Sequence, residues 1–148
     1  MRKRRILGTV AALLAVGFWA APAASASEGH HGQDPIATGC TSGSYVLASW
    51  AMVNEKYNQA QGTIQLMYSP TCGTNWINLY GNVAGNNYEA SISRYSVPGN
   101  AMHAFVPNVG SDYSPMVYAP GTTCVYVGSN ITDRASGVVE MNNTRTFC

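Results

Sequence analysis

The sequence predicts an all-β domain, a small sandwich or barrel of about seven or eight antiparallel strands that two disulfides hold together. Short apolar runs alternate with a period of two, and turn signals recur about every 8 to 15 residues. No segment keeps a helical period over several turns. The four cysteines are an even number, which in an exported chain is typical of disulfide bonds.

The first 26 residues have the pattern of a signal peptide. A basic start at residues 2–5 precedes an apolar stretch over residues 6–20, and Ala24-Ser25-Ala26 fits a cleavage site. The apolar stretch is short for a membrane span, so we expect a secreted, extracellular protein without membrane insertion. Residues 27–33 are small and polar, which predicts a flexible arm, and residues 34–148 form a single domain.

Charge argues against nucleic acid as a partner. Once the signal peptide is removed, four basic residues remain against seven acidic ones, which gives a net charge of −3. The four basic residues are scattered and form no basic stripe of the kind that binds phosphate backbones. The partner classes that remain are other secreted proteins and sugars.

The first four strands are predicted from alternation. Residues 44–53 are apolar at both odd and even positions, which indicates a central strand covered on both sides. Residues 63–69 and 76–83 flank a turn, and residues 88–97 place Tyr88, Ala90 and Ile92 on one side and polar residues on the other.

The later strands are shorter. Residues 101–106 are predicted as a strand and residues 111–115 as a loop. Residues 116–118 and 124–127 bracket Pro120-Gly121, which predicts a hairpin, and residues 138–141 predict a last strand.

The turn over residues 70–73 is the structural centre of this prediction. Pro70 removes a backbone donor and Gly73 permits positive φ, so strand pairing stops here and the chain reverses. Cys72 lies in the turn, where a disulfide would tie it to another part of the fold. Trp76 follows as a large side chain that we expect to be buried in the core.

Four cysteines permit three pairings. We favour Cys40 with Cys72 and Cys124 with Cys148, because each pair closes a modest loop and the second fixes the chain end. The cysteines and histidines have no zinc-type spacing, so no metal or cofactor is predicted.

Three motifs carry a resemblance to a known family. They are G-x-D-P-x-x-T-G-C at residues 32–40, L-x-Y-S-P-x-C-x-x-x-W at residues 66–76 and S-P-M at residues 114–116. The chain resembles a small secreted domain family of unknown function that is common in actinobacteria, although Cys148 and the Asn-rich tail depart from its pattern. The resemblance implies an adaptor role, since some members are associated with large secreted toxin complexes. Apart from the resemblance, Asp34-Pro35 fits the start of a turn and Gly39 lies in the loop before Cys40, so structural roles are predicted for Pro35 and Gly39.

No catalytic residues are predicted. His103, Asp112 and Ser114 would be an acyl-transfer set only if folding brought them together, and chain order does not establish this. The carboxylates that glycoside cleavage would need are widely spaced, and no pair is singled out; they are Asp34, Glu55, Glu89, Asp112, Asp133 and Glu140.

We therefore expect a non-enzymatic adaptor that binds proteins. Nine tyrosines, with many Asn, Ser and Thr, suit recognition of protein or sugar. A polar arm joined to a rigid domain suits insertion into a partner's groove, so the predicted partner-binding residues are Glu28, His30, His31, Gln33 and Asp34. The alternatives are an extracellular hydrolase and a carbohydrate-binding or cell-wall-binding module.

Overall fold

Two antiparallel β-sheets pack against each other in the computed structural model, which describes residues 25–97 and 99–148. Within this range the helical structure is one 3-10 turn, Glu28–His30. The nine strands are β1 Tyr45–Asn54, β2 Gln59–Ser69, β3 Thr74–Gly81, β4 Asn86–Arg94, β5 Met102–Pro107, β6 Gly110–Tyr113, β7 Val117–Tyr118, β8 Val125–Asp133 and β9 Val139–Phe147. The predicted all-β class is confirmed. The predicted signal peptide falls almost wholly on residues 1–24, outside the described residues.

Both predicted disulfides are confirmed: Cys40 pairs with Cys72, and Cys124 pairs with Cys148. The first joins the segment before β1 to the turn between β2 and β3. The second joins the start of β8 to the residue after β9. Each bridge therefore ties a chain segment to the sheet that it adjoins.

Sheet A has the strand order β1-β2-β3-β6, and β7 also pairs with β3. The β1–β2 hairpin turns where the Asn54 side chain accepts hydrogen bonds from the N–H groups of Lys56 and Tyr57, at 2.9 and 3.1 Å. β2 reverses into β3 at Gly73, whose φ is 63° and whose N–H donates to the carbonyl of Ser69 at 2.8 Å. The chain thus turns where the sequence predicted it.

Sheet B has the strand order β5-β4-β8-β9. Its central strand β4 buries Tyr88, Ala90 and Ile92 between the sheets, as the alternation predicted. β8 reverses into β9 at Asp133, whose carboxylate accepts hydrogen bonds from the N–H groups of Ala135 and Ser136. Capping by Asp is the usual chemistry of such a turn.

The main core lies between the two sheets. Two glycines in it leave the space that one large side chain occupies. Gly62 of β2 lies opposite Gly81 of β3, and Tyr88 fills the space beside them without solvent exposure. A Cβ atom on Gly81 would lie 2.4 Å from Cδ2 of Tyr88. The Tyr88 hydroxyl is satisfied because it donates to the Val83 carbonyl at 2.8 Å.

A second apolar cluster lies on the outer side of sheet A. Trp76 is buried there, with 3% of its surface exposed, and packs with Cys40, Cys72, Met116 and the partly buried Met67. Since Ile77 faces the main core, its neighbour Trp76 must face the opposite way. Trp76 is therefore buried as predicted, but beneath the segment before β1 and not between the sheets.

Three strand predictions need correction. β1 is an edge strand and not the central strand expected from its two apolar sides. Residues 111–113, part of the loop expected over residues 111–115, belong to β6, which pairs with β3. The predicted hairpin of 116–118 with 124–127 does not form, because β7 pairs with β3 in sheet A whereas β8 pairs with β4 and β9 in sheet B.

Candidate functional site

The segment 27–33, which the sequence predicts as a flexible arm, lies against the domain in the structure. The N–H of Gly32 donates to the carbonyl of Met116 at 2.8 Å, and the N–H of Met116 donates to the carbonyl of Gln33 at 2.9 Å. Glu28 forms an ion pair with Arg94. The flexibility that its polar composition predicts remains a prediction, and the end of the segment is bonded through its backbone to the chain just before β7, which composition does not report.

His31 and Asp34, two of the predicted partner-binding residues, also make contacts within the domain. Nδ1 of His31 accepts a hydrogen bond from the N–H of Tyr118 at 3.3 Å. The carboxylate of Asp34 accepts from the N–H groups of Ile36 and Ala37 at 2.7 and 3.0 Å. A further bond from the Tyr113 hydroxyl to Asp34, at 3.0 Å, ties this turn to β6. These side chains thus support the fold, and a partner-binding role for them remains a prediction.

The turn that follows Asp34 explains the two residues given structural roles. Pro35 is buried directly after the capping carboxylate. Gly39 has a φ of 74°, a left-handed conformation that suits glycine. Together they direct the chain to Cys40, so the first motif positions one half of the buried disulfide.

Asp34 makes the stability of the fold depend on pH in the acidic range. The N–H of Ala37 first, then the N–H of Ile36 and the Tyr113 hydroxyl, hold the pKa of Asp34 below its ordinary value of 3.8. Its stabilisation is therefore present above the unfolded-state pKa and is lost as the pH falls through the lower folded-state pKa. Asp34→Asn, which keeps the turn geometry but cannot ionise, should flatten the fall in melting temperature between about pH 4 and pH 2. Unchanged acid titrations of wild type and variant would contradict this role.

One group of possible metal ligands forms that the sequence spacing did not predict. Ligand atoms of His30, Cys40 and Cys72 lie within 4.8 Å of one another, and Nδ1 of His30 is buried without a hydrogen-bond partner. Both sulfur atoms belong to the disulfide, so they offer no thiolate to a metal. In the oxidised protein this group acts as part of the second apolar cluster.

The residues considered for catalysis are engaged in separate contacts. His103 contacts the carboxylate of Glu89 at 3.2 Å, and the carboxylate of Asp112 accepts from the N–H of Phe105 at 2.8 Å. The buried Ser114 hydroxyl accepts from the N–H of Ile77 and donates to the carbonyl of Pro115. None of these contacts joins a nucleophile to a base, which the acyl-transfer hypothesis requires.

Three carboxylates line a groove of about 560 Å³ beside the two hairpin turns at one end of the sandwich. They belong to Glu55, Asp133 and Glu140, and Lys56 lies among them. Asp133 is used by its own turn, and Glu140 accepts a hydrogen bond from the Asn54 amide. Glu140 therefore ties the two hairpin ends together and Asp133 caps its own turn, so both carboxylates have structural roles.

β1 is the feature that stands out as a binding surface. Among the residues that the structure describes, it pairs only with β2, and the backbone groups on its other side have no strand partner there. Its ten residues include no charge and no proline, and Tyr45 and Leu47 are 49% and 46% exposed. Natural edge strands are normally short, charged or covered, and a long apolar one is a site for pairing with another chain. β1 lacks these protections, although register shifts between Val46 and Ala48 and between Met52 and Val53 interrupt its regular pairing with β2.

The other strands at the sheet edges are better protected. Within the described residues, the segment 32–33 bonds to the chain just before β7 at the far side of sheet A. β5 has only six residues and ends in Pro107. β9 carries mostly exposed Asn, Thr and Arg side chains. β1 is therefore the long, apolar and uncovered edge.

A cleft runs between β1 and β9, where the two sheets separate. We call it the edge cleft; it measures about 390 Å³ and is lined by residues that include Trp50, Val53, Met141, Asn143 and Arg145. The sheets meet at one end, where the N–H of Glu55 donates to the carbonyl of Glu140 at 3.2 Å. Trp50 stacks on Phe147, with ring centroids 5.3 Å apart. Sequence reasoning missed this cleft, because only the packing of β1 beside β9 brings its two sides together.

Residues 28–128, more than half of the chain, match the family described as Protein of unknown function (DUF2690). No curated protein and no solved structure matches the chain. Among the described residues, no helix has the length and apolar character needed to cross a membrane. The match includes β1 and the two cysteine motifs but ends before β9. One wall of the edge cleft therefore lies within the family match and the other lies beyond it.

Proposed function

We propose that this chain, which belongs to the family of proteins of unknown function DUF2690, is an exported, non-enzymatic binding module that takes up an extended segment of a partner protein along β1. The observation that carries the proposal is the uncovered, uncharged β1 edge beside a cleft lined by Trp50 and Arg145. In strand addition, backbone hydrogen bonds supply affinity and alternate side chains supply specificity.

The exposed side chains of β1 fit this use. Tyr45 and Leu47 would lose solvent contact against a partner, and burying such a side chain fully contributes about 1.5 to 3 kcal/mol. Each new backbone hydrogen bond would contribute about 1 kcal/mol net. These gains have to offset an association cost of about 4 to 15 kcal/mol, so both the backbone and the side chains are needed.

An adaptor role requires a second binding surface on the same domain besides β1. β1 offers one contact, and the rest of the surface remains open for a second protein. The finer parts of the proposal are that the chain is a secreted actinobacterial protein and that it joins components of a toxin-like complex. They are supported by the signal-peptide pattern and the motif resemblance given above.

Variants that add positive charge to the β1 edge test the proposal. Ser49→Lys with Ala51→Lys changes two exposed positions on β1, so the domain should fold normally while strand addition is blocked. Ala84→Lys with Asn100→Lys, at exposed loop positions, adds the same charge elsewhere. We expect a partner captured from culture supernatant by the wild type and the loop variant to be lost by the edge variant. We also expect amide exchange of β1 to slow when the partner binds. Equal capture by both variants, or unchanged exchange of β1, would overturn the proposal.

A further inference from the structure

Arg145 is a cation placed inside the edge cleft. Its position in β9 pairs with Val127 of β8, whose side chain is buried in the core, so Arg145 faces the same inner side of sheet B. Its guanidinium lies over the ring of Trp50, 5.0 Å from the centroid. The side chain remains exposed because the sheets separate there.

The charge of Arg145 is not matched within the described part of the chain. No ion pair joins it to a carboxylate, and Glu55 lines the same cleft without forming one. The cation–π contact with Trp50 restrains the guanidinium beside the ring and leaves its N–H groups available. A planar guanidinium held in this way is suited to bidentate pairing with a carboxylate.

The same charge disfavours a second copy of this chain as the partner on β1. Two β1 strands paired antiparallel about their centre would place both Trp50 residues near the symmetry axis, and with them both Arg145 side chains. Two guanidinium groups in one partly desolvated cleft repel each other. The β1 edge is otherwise uncharged, so the β1 strands of two copies could pair with each other. The charge of Arg145 therefore opposes this pairing.

We propose that the segment bound along β1 carries an Asp or Glu side chain that enters the edge cleft and pairs with Arg145. This inference rests on the proposed function, since it names the chemistry of the segment that β1 takes up. Backbone pairing along β1 holds the segment, and the carboxylate fixes its register, because a shift by one residue would turn the acid out of the cleft. Phe147, which stacks on Trp50, restrains the Trp50 ring at this cleft.

Selection from a displayed library of random ten-residue segments tests the inference without assuming a partner. The baits are the wild type, Arg145→Gln, Arg145→Glu and the edge variant Ser49→Lys with Ala51→Lys, each checked for folding by circular dichroism. For the wild type we expect one position of the selected segments to be enriched about tenfold in Asp and Glu. The enrichment should vanish with Arg145→Gln and change to Lys and Arg with Arg145→Glu.

The outcomes separate the two proposals. Segments that require an intact β1 edge but show the same sequences with wild type and Arg145→Gln would overturn the carboxylate inference and leave the proposed function standing. If no selected segment loses binding to the edge variant, the proposed function fails and the inference fails with it.

Sedimentation provides a second measurement. Arg145→Gln should raise the dimer fraction above that of the wild type. An unchanged dimer fraction would refute the role of Arg145 in opposing self-pairing.

Discussion

We expect Trp76→Ala to lower the free energy of unfolding by about 3 to 5 kcal/mol, the range for removing a large buried aromatic side chain. Trp76 is 3% exposed and fills the second apolar cluster, where it contacts the disulfide region and Met116. Truncation would leave a cavity between sheet A and the segment that covers it. The lining side chains cannot close this cavity easily, because Cys40 and Cys72 are fixed by their bond. Chemical denaturation followed by circular dichroism measures the change.

Two further variants make the Trp76 result interpretable. Trp76→Phe keeps most of the apolar volume and should cost clearly less than the Ala variant. Tyr57→Ala removes an aromatic ring that is 53% exposed and should change stability by no more than about 0.5 kcal/mol. If Trp76→Ala melted at the wild-type temperature, the outer cluster would contribute little, and Trp76 would be better interpreted as a contact for a partner.

Alternation of apolar and polar residues predicted the strands that have one side towards the core and the other towards solvent. In β4, Tyr88, Ala90 and Ile92 face the core while Glu89 and Ser91 between them are partly exposed, and the sequence shows the same pattern. The turn between β2 and β3 was predictable because Pro70 and Gly73 act locally. Both disulfides were also predicted. Of the three ways to pair four cysteines, the one that closes modest loops between paired residues was favoured.

The position of β1 could not be predicted in the same way. A strand with two apolar sides is typical of the centre of a sheet, and the same composition also describes an edge that awaits a partner. Only the order of the strands distinguishes these cases, and that order depends on contacts far apart in the chain. For the same reason the edge cleft was missed, because Trp50 and Arg145 are separated by most of the domain in sequence.

The segment 27–33 was predicted from its composition as a free arm. Its apolar content is low, but Gly32 and Gln33 bond through their backbones to Met116, which any sequence can do. The predicted hairpin around Gly121 is wrong, for a different reason. A Pro-Gly turn specifies that the chain bends, but not whether the next strand joins the same sheet. Here it joins the other one.

The second large effect is expected for the Cys40–Cys72 disulfide. Replacing both cysteines by Ala should lower the free energy of unfolding by about 2 to 5 kcal/mol, the usual cost of removing a native disulfide from a small domain. Both residues are fully buried, so replacing them by Ser should cost about 1 to 3 kcal/mol more, because hydroxyl groups would be buried where sulfur atoms packed. Equilibrium denaturation of the two double variants measures both quantities.

The Cys124–Cys148 pair provides the matched control. The sequence separations are 32 and 24 residues, so the chain-entropy terms of the two disulfides differ by only about 0.3 kcal/mol. Cys148 is exposed and Cys124 is only partly buried, so Ala and Ser should cost nearly the same there. A gap between the Ser and Ala variants at Cys40 and Cys72, absent at Cys124 and Cys148, would show that burial adds to the constraint at the first site. An equal gap at both sites would refute this, and peptide mapping that linked Cys40 to Cys124 or Cys148 would overturn the pairing itself.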